Sequence, residues 1–362
     1  MTVVAFDFTH ALINHTGVGR YPKELLPRLR ALDGLEVVPL AAPGAGRSRT
    51  TPQRLMEIAR RDFAYYPSGL GRRAGRHGAQ IIHCPAPGPA FVSGTPLVMT
   101  VHDLLWIRLP QFFTLPTKAY HRLSLPAVRR AARVLTNSHY TRGEVIELLG
   151  LPEERVVVTP FGVDPRFAPR DVDRAALRER FDITGRYVLA VATREPRKNQ
   201  GALLRAFERL APRVDDVALV LVGGRGWRSA ELERTIAAVG DRVRVTGFVS
   251  DDELVELYAG ATCFAFPSFA EGFGLPVLEA MASGVPVVTS DRTALPEVAG
   301  DAALLVNPDD DRELEDAIEQ VLTTPELAAD LTRRGLARSA GFTWQACALA
   351  TRAAYPSPEW SP

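Results

Sequence analysis

The six residues Val217-Ala218-Leu219-Val220-Leu221-Val222 contain no polar side chain and no polar alternation, the signature of a parallel strand covered on both faces. Working outward, short runs of the same kind recur along the 362-residue chain. In the first half they fall at 3–8, 36–41, 80–84, 96–101, 133–137 and 155–160; in the second at 187–192, 217–222, 242–246, 263–266, 285–289 and 302–306. Amphipathic segments separate them, such as Tyr21, Leu25, Leu26, Leu29 and Leu32, then Leu203, Leu204, Phe207 and Leu210, then Leu314, Ile318 and Leu322. This alternation predicts an α/β chain with two doubly wound sheets, and Pro27 is expected to kink the first helix. The boundary is read at Phe161-Gly162-Val163-Asp164-Pro165-Arg166-Phe167-Ala168-Pro169, where a glycine and two prolines follow the sixth strand. Domains of 1–165 and 166–342 result, followed by a helix and a tail at 343–362, loose from Pro356 to Pro362.

Hydrophobic residues at 46% and charged residues at 23% exclude disordered and collagen-like classes. No apolar run approaches the ~18 residues that span a bilayer, and the opening lacks the basic start of a signal peptide, so a cytoplasmic protein is expected. Cys84, Cys263 and Cys347 lie far apart and read as buried small hydrophobes rather than disulfide or zinc partners. The net charge of +1 is uneven: residues 1–165 hold 20 Lys/Arg against 12 Asp/Glu, and the remainder 23 against 30. A positive first half suits an anionic partner or peripheral contact with an anionic membrane, and scattered solvated arginines explain it equally well. No nucleic acid is expected as a partner.

The strongest chemical signal is Glu271-Gly272-Phe273-Gly274-Leu275-Pro276-Val277-Leu278-Glu279, which follows a strand and opens a helix. Gly272 and Gly274 permit close approach of a ligand to the backbone, and the helix mouth suits an anion such as a phosphate. Two carboxylates at the same mouth would repel that phosphate, so Glu271 and Glu279 are assigned to neutral hydroxyls, as on a sugar. A second loop, Thr193-Arg194-Glu195-Pro196-Arg197-Lys198-Asn199, follows another strand and places Arg197 and Lys198 to meet an anionic ligand. In the first half, Gly17-Val18-Gly19 is a partial dinucleotide-binding fingerprint with Pro22 in place of the third glycine, and Val101-His102-Asp103 ends a strand. Asp171-Val172-Asp173, Asp251-Asp252 and Asp309-Asp310-Asp311 stand before helical runs and read as caps rather than metal ligands. P-loop and Gly-x-Ser-x-Gly signatures are absent from the sequence.

Taken in order, these motifs make the chain resemble the family 4 retaining glycosyltransferases of GT-B fold over nearly its whole length. The resemblance implies two Rossmann-like doubly wound domains facing across a cleft: an acceptor-binding first domain, a nucleotide-sugar-binding second domain, and a last helix crossing back to the first. It implies catalytic positions at His102, Glu271, Lys198 and Arg197. Donor contacts are implied at Gly17, Gly19, Arg194, Gly223, Phe248, Val249, Gly272, Phe273, Gly274, Val277, Leu278 and Glu279. Glu271 would hold sugar hydroxyls and Glu279 the ribose diol; Arg197 and Lys198 would hold the diphosphate, assisted by backbone N–H groups of Gly19 and of the Val277-Leu278 turn. The activity implied is retaining transfer of a hexose, mannose first, from a nucleoside diphosphate sugar to a glycan or lipid-linked acceptor in bacterial surface-glycan synthesis, with GDP-mannose as the first donor to try. The nucleotide-sugar is a substrate, and neither a cofactor nor a metal is expected. A catalytically silent nucleotide-sugar-binding partner subunit and a GT-B-fold epimerase are the alternatives.

Overall fold

The structure, a computed structural model, describes residues 1–14, 16–47, 50–88, 93–226 and 230–356, so the tail from residue 357 lies outside the described residues. Two compact units result: Met1–Gly162 together with the chain from Thr343 onward, and Val163–Phe342.

In the first unit the strands are β1 (Thr2–Asp7), β2 (Leu35–Leu40), β3 (Ile81–Cys84), β4 (Leu97–Val101), β5 (Arg133–Thr136) and β6 (Val156–Val158). They form one parallel sheet in the order β2-β1-β3-β4-β5-β6. The second unit repeats the scheme with β7 (Arg186–Val191), β8 (Val217–Val222), β9 (Val243–Gly247), β10 (Cys263–Phe266), β11 (Val287–Ser290) and β12 (Ala303–Val306). Its order is β12-β11-β10-β7-β8-β9, again all parallel. Apolar runs such as β8 occur because helices cover both faces of each sheet: Leu219 and Leu221 pack with Leu203, Phe207 and Leu210 in one buried cluster. Cys84, Cys263 and Cys347 are buried free thiols.

The final helix, Trp344–Ala354, belongs to the first unit, where the Trp344 ring lies 5.5 Å from Phe161 and 6.2 Å from Tyr21. The helix Gly17–Arg30 continues through both Pro22 and Pro27 while burying Leu25, Leu26 and Leu29. Asp173 caps the helix Arg174–Phe181 by accepting from the Ala175 and Ala176 amides, and Asp310 caps Asp311–Thr323 through the Arg312 and Glu313 amides. The expectation for Asp251 and Asp252 needs correction: they occupy the first turn of the helix Asp251–Ala259, and the cap is Ser250. Its backbone N–H donates to Glu253 at 2.6 Å, a reciprocal capping box that neither aspartate can make from inside the turn. Among the described residues no helix is long and apolar enough to cross a membrane.

Two helical glycines should respond oppositely to a methyl group. A Cβ on Gly19 would stand 1.8 Å from the Asn14 carbonyl oxygen, whereas one on Gly75, in the helix Leu70–Arg76, would meet nothing within 4 Å. Gly19→Ala is expected to cost about 1–3 kcal/mol or more through overpacking. Gly75→Ala should stabilise by about 0.5–1 kcal/mol through helix propensity, and thermal denaturation of both variants measures the contrast.

Candidate active site

In the second sheet β7 lies between β8 and β10, the point where the strand order reverses. At such a switch point the loops leaving two adjacent strands diverge at their carboxyl ends and open a place for a ligand. The loop after β7 contains the short turn Pro196–Lys198, and Asn199, at φ 54°, begins the helix Gln200–Leu210. The loop after β10 ends at Gly274, whose φ of 118° suits glycine, and enters the helix Leu275–Ala282 with a proline in its first turn.

Side chains from these two loops close on one another. Glu271 accepts from Lys198 Nζ at 2.7 Å, pairs with Arg197 Nη1 at 3.0 Å, and accepts from Ser268 Oγ at 2.6 Å. Arg197 also pairs with Glu195 at 2.8 Å and donates to the Ala270 carbonyl at 2.5 Å. The Phe269 amide donates to the Arg197 carbonyl at 2.9 Å, and the Glu271 amide to Thr293 Oγ1 at 2.9 Å. Lys198 Nζ stands 5.2 Å from the centre of the Phe266 ring. The side chains of Glu271, Lys198 and Arg197 are only 12%, 14% and 16% exposed, so these charges interact in a poorly screened setting. Burial alone would raise the Glu271 carboxyl, but Arg197 and Lys198 overcome it and hold its pKa down at about 2. Burial pushes the Lys198 ammonium below its ordinary value against the pull of Glu271.

Other positions on this unit divide into two sets. Phe248, just beyond β9, is 80% exposed, and its ring lies so close over Gly224 that a Cβ there would meet Phe248 Cε2 at 2.1 Å; Val249 follows it, half-buried. Glu279 is buried on the helix Leu275–Ala282 and accepts from the Tyr258 hydroxyl at 3.0 Å. Gly272 and Phe273 are buried within the loop. Gly223, at φ 133°, has room for no side chain, because a Cβ would stand 2.2 Å from the Ala192 carbonyl oxygen.

Three sequence expectations change here. Arg194 is buried with its guanidinium on Glu233 at 3.0 Å and on the Gly223 carbonyl at 2.7 Å, so it ties loops together instead of presenting a cation. The amides of Val277 and Leu278 both donate to the Gly274 carbonyl, at 3.0 and 3.3 Å, because the proline-started turn closes on its own cap. In the first unit Gly17 and Gly19 already belong to the helix Gly17–Arg30, and the Gly19 amide donates to Thr16 at 2.9 Å rather than lying in an open cradle.

The first unit places His102 just after β4. Its Nε2 lies 2.8 Å from the Pro85 carbonyl, which makes Nε2 the protonated nitrogen, and Nδ1 is buried without a partner. Rings of Tyr21 and Phe161 lie 5.5 Å away, and burial pushes the imidazole pKa down to about 4, leaving it neutral. The end of β1 holds Asp7, fully buried, which accepts from Thr9 Oγ1 at 2.5 Å, Tyr65 at 3.2 Å and Tyr66 at 3.0 Å; burial nevertheless raises its carboxyl. Among the described residues no group of three or more His, Cys, Asp or Glu could hold a metal ion.

Family models match both halves of the chain: glycosyl transferases group 1 over residues 173–338 and Glycosyltransferase Family 4 over residues 15–167. An O-antigen chain mannosyltransferase B of Escherichia coli is 34% identical over 94% of this chain and 96% of its own. The chain belongs to glycosyltransferase family 4. Among solved structures, a sucrose-phosphate synthase of Thermosynechococcus elongatus matches the glycosyltransferase with a TM-score of 0.76 at 20% identity, covering 98% of each chain. HepE of Anabaena, in complex with UDP-glucose, matches with a TM-score of 0.75 at 20% identity, over 98% of this chain and 99% of that one. The architecture is the GT-B fold.

Sequence reasoning passed over Ser268 and Thr293, which fix Glu271 from its side chain and its amide, and Tyr258, which meets Glu279. Neither Ser268 nor Tyr258 carries a local signal beyond its neighbourhood of β10 and of the helix Asp251–Ala259; Asp7 did carry one, an acid ending an apolar strand.

The depressed Glu271 pKa has a measurable consequence in the glycosyltransferase. The native carboxyl titrates at about 2 against an ordinary 4.5, so the unfolded state binds the proton first. The stabilisation is present above about pH 4.5 and is lost as pH falls towards 2, on the order of 3 kcal/mol in all. Urea unfolding of wild type and Glu271→Gln should show a gap that is widest near neutrality and narrows in acid; a gap independent of pH contradicts the assignment.

Proposed function

We propose that this glycosyltransferase moves a hexose, mannose first, from a nucleoside diphosphate sugar to a glycan or lipid-linked acceptor in bacterial surface-glycan synthesis, with retention at the anomeric carbon. The observation that carries the proposal is the closure of Lys198 and Arg197 on Glu271 at the switch point of the second sheet. A nucleotide-sugar offers both things this group requires: phosphate oxygens that accept from the cations and sugar hydroxyls that donate to the carboxylate. The mannosyltransferase name of a relative matched over nearly its whole length supports mannose and a surface glycan, and GDP-mannose is the donor to test first. The UDP-glucose complex of a neighbour supports a nucleotide-sugar as the ligand class.

The mechanism that follows is front-face displacement. The bond between the anomeric carbon and the diphosphate oxygen breaks with its electron pair on the phosphate, the acceptor hydroxyl adds to the same face, and its proton passes to the departing phosphate oxygen. Lys198 and Arg197 stabilise the negative charge that grows on the leaving group, and Glu271 orients the sugar. Glu279 takes the ribose diol. Phe248 offers the outer face of a ring backed by Gly224, and Val249 beside it completes the surface for the base. In the first unit, Nδ1 of neutral His102 is an acceptor suited to a sugar or acceptor hydroxyl.

Lys198→Ala should lower turnover by about 10²–10³ in protein that remains folded, with a lower melting temperature because Glu271 loses one buried partner, and near-normal turnover would remove Lys198 from the site. Against a panel of nucleotide-sugars, the cognate donor at about 100 times its Kd should add about 2.7 kcal/mol of stability. Proton NMR of the first product formed reports the anomer; inversion would exclude the displacement described.

A further inference from the structure

The helix Thr51–Arg60 has no buried residue, and its apolar side faces outward. On a wheel of about 100° per residue, Pro52, Leu55, Met56, Ile58 and Ala59 fall within one arc of about 160°. Leu55 is 63% exposed, Met56 54% and Ile58 41%; one turn on, Phe63 is 79% exposed. Arg54 and Arg60, both exposed, border the arc on either side. The opposite side carries Gln53 and Glu57, and Glu57 accepts from the Gly46 amide at 2.9 Å, which turns the polar side toward the protein. Such a helix is inverted relative to one that builds a core.

A neighbouring helix shows the same pattern. On Leu115–Arg130, Leu115 is 77% exposed and Leu123 57%, with exposed Ala119 between them and Lys118 and Arg122 alongside. The Arg61 guanidinium stands 5.9 Å from the centre of the Tyr120 ring and links this helix to the turn that follows Arg60. Six of the twelve large hydrophobic side chains exposed among the described residues lie on these two segments.

We propose that this surface docks on an anionic lipid bilayer, with the helix Thr51–Arg60 lying in the plane of the interface, its apolar arc in the acyl boundary and its arginines among the headgroups. Charge decides the occupant. Residues 41–101 hold eight arginines against two acids; Asp62 and Arg61 pair with each other at 2.7 Å, Glu57 is turned inward, and Arg47, Arg54, Arg60, Arg72 and Arg76 are exposed. A second copy would set the same basic surface against itself, whereas anionic headgroups complement it. At ten residues the helix is too short to span a bilayer, and it suits an interfacial position.

Flotation with vesicles tests the proposal without any sugar donor, so its outcome is separate from that of the transfer reaction. Wild-type protein should float with phosphatidylcholine vesicles containing about one-third phosphatidylglycerol and not with pure phosphatidylcholine. Combined Leu55→Ser, Met56→Ser and Ile58→Ser, on a surface with no core contact, should keep the melting temperature and lower binding about tenfold or more. Arg54→Gln with Arg60→Gln should weaken the preference for anionic lipid. Failure of the wild type to float with anionic vesicles, or undiminished flotation of the serine variant, overturns the proposal. So does a serine variant whose only change is a smaller mass in light scattering, which would assign the face to a second copy.

Discussion

A single carboxylate, Glu271, holds two loops of the second unit together by accepting from cations that arrive from the neighbouring strand. Because β7 and β10 are adjacent but non-consecutive, the loops leaving them have no covalent reason to stay in register, and the pairs from Glu271 to Lys198 and Arg197 supply that reason. Ser268 donates a further bond to the carboxylate, the Phe269 amide donates to the Arg197 carbonyl and the Glu271 amide to Thr293, so polar side-chain and backbone groups around the buried charges are satisfied together. Removing one partner leaves an uncompensated charge, so the arrangement is costly to disturb and well suited to hold charged ligand groups in fixed positions.

The two sheets share one topology but differ in chemistry at their switch points. In the first unit the reversal falls between β1 and β3, and burial acts on the titratable groups at the strand ends: it raises the Asp7 carboxyl and pushes the His102 imidazole down to about 4. In the second unit the carboxylate is held ionised by cations. Neutral donors and acceptors recognise hydroxyls, and fixed cations stabilise developing anions. In the proposed reaction, neutral His102 of the first unit would meet hydroxyls, and the cations of the second would meet the leaving-group charge.

Strand positions were legible because a strand buried on both faces must be apolar throughout, and β8 coincides with the quoted run Val217–Val222 to the residue. Strand ends elsewhere move by up to two residues, where bonding to a neighbour decides the boundary. Lys198, Arg197 and Glu271 were legible as polar groups at the carboxyl ends of strands. What stayed hidden is which partner each side chain selects. Arg194 and Arg197 lie three positions apart in one loop, yet Glu233 claims the first and Glu271 the second. Amide availability was hidden for the same reason: Val277, Leu278 and Gly19 spend their N–H groups locally, and only turn geometry reveals it. Glycines were read as sites for a ligand, but Gly19 is needed because the helix passes against the Asn14 carbonyl.

Charge balance within the cluster constrains what can bind there. Arg197 and Lys198 are matched by Glu195 and Glu271, so the four side chains sum to no net charge. A bare anion that draws Lys198 from Glu271 leaves a buried carboxylate short of a donor, and one that leaves the pair intact finds the cations already engaged. A ligand carrying hydroxyls beside its phosphates escapes this dilemma, because it returns donors to Glu271 as it takes them from Lys198. In the proposed reaction, preference for a nucleotide-sugar over the bare nucleotide would follow from the hydrogen-bond count at this one carboxylate.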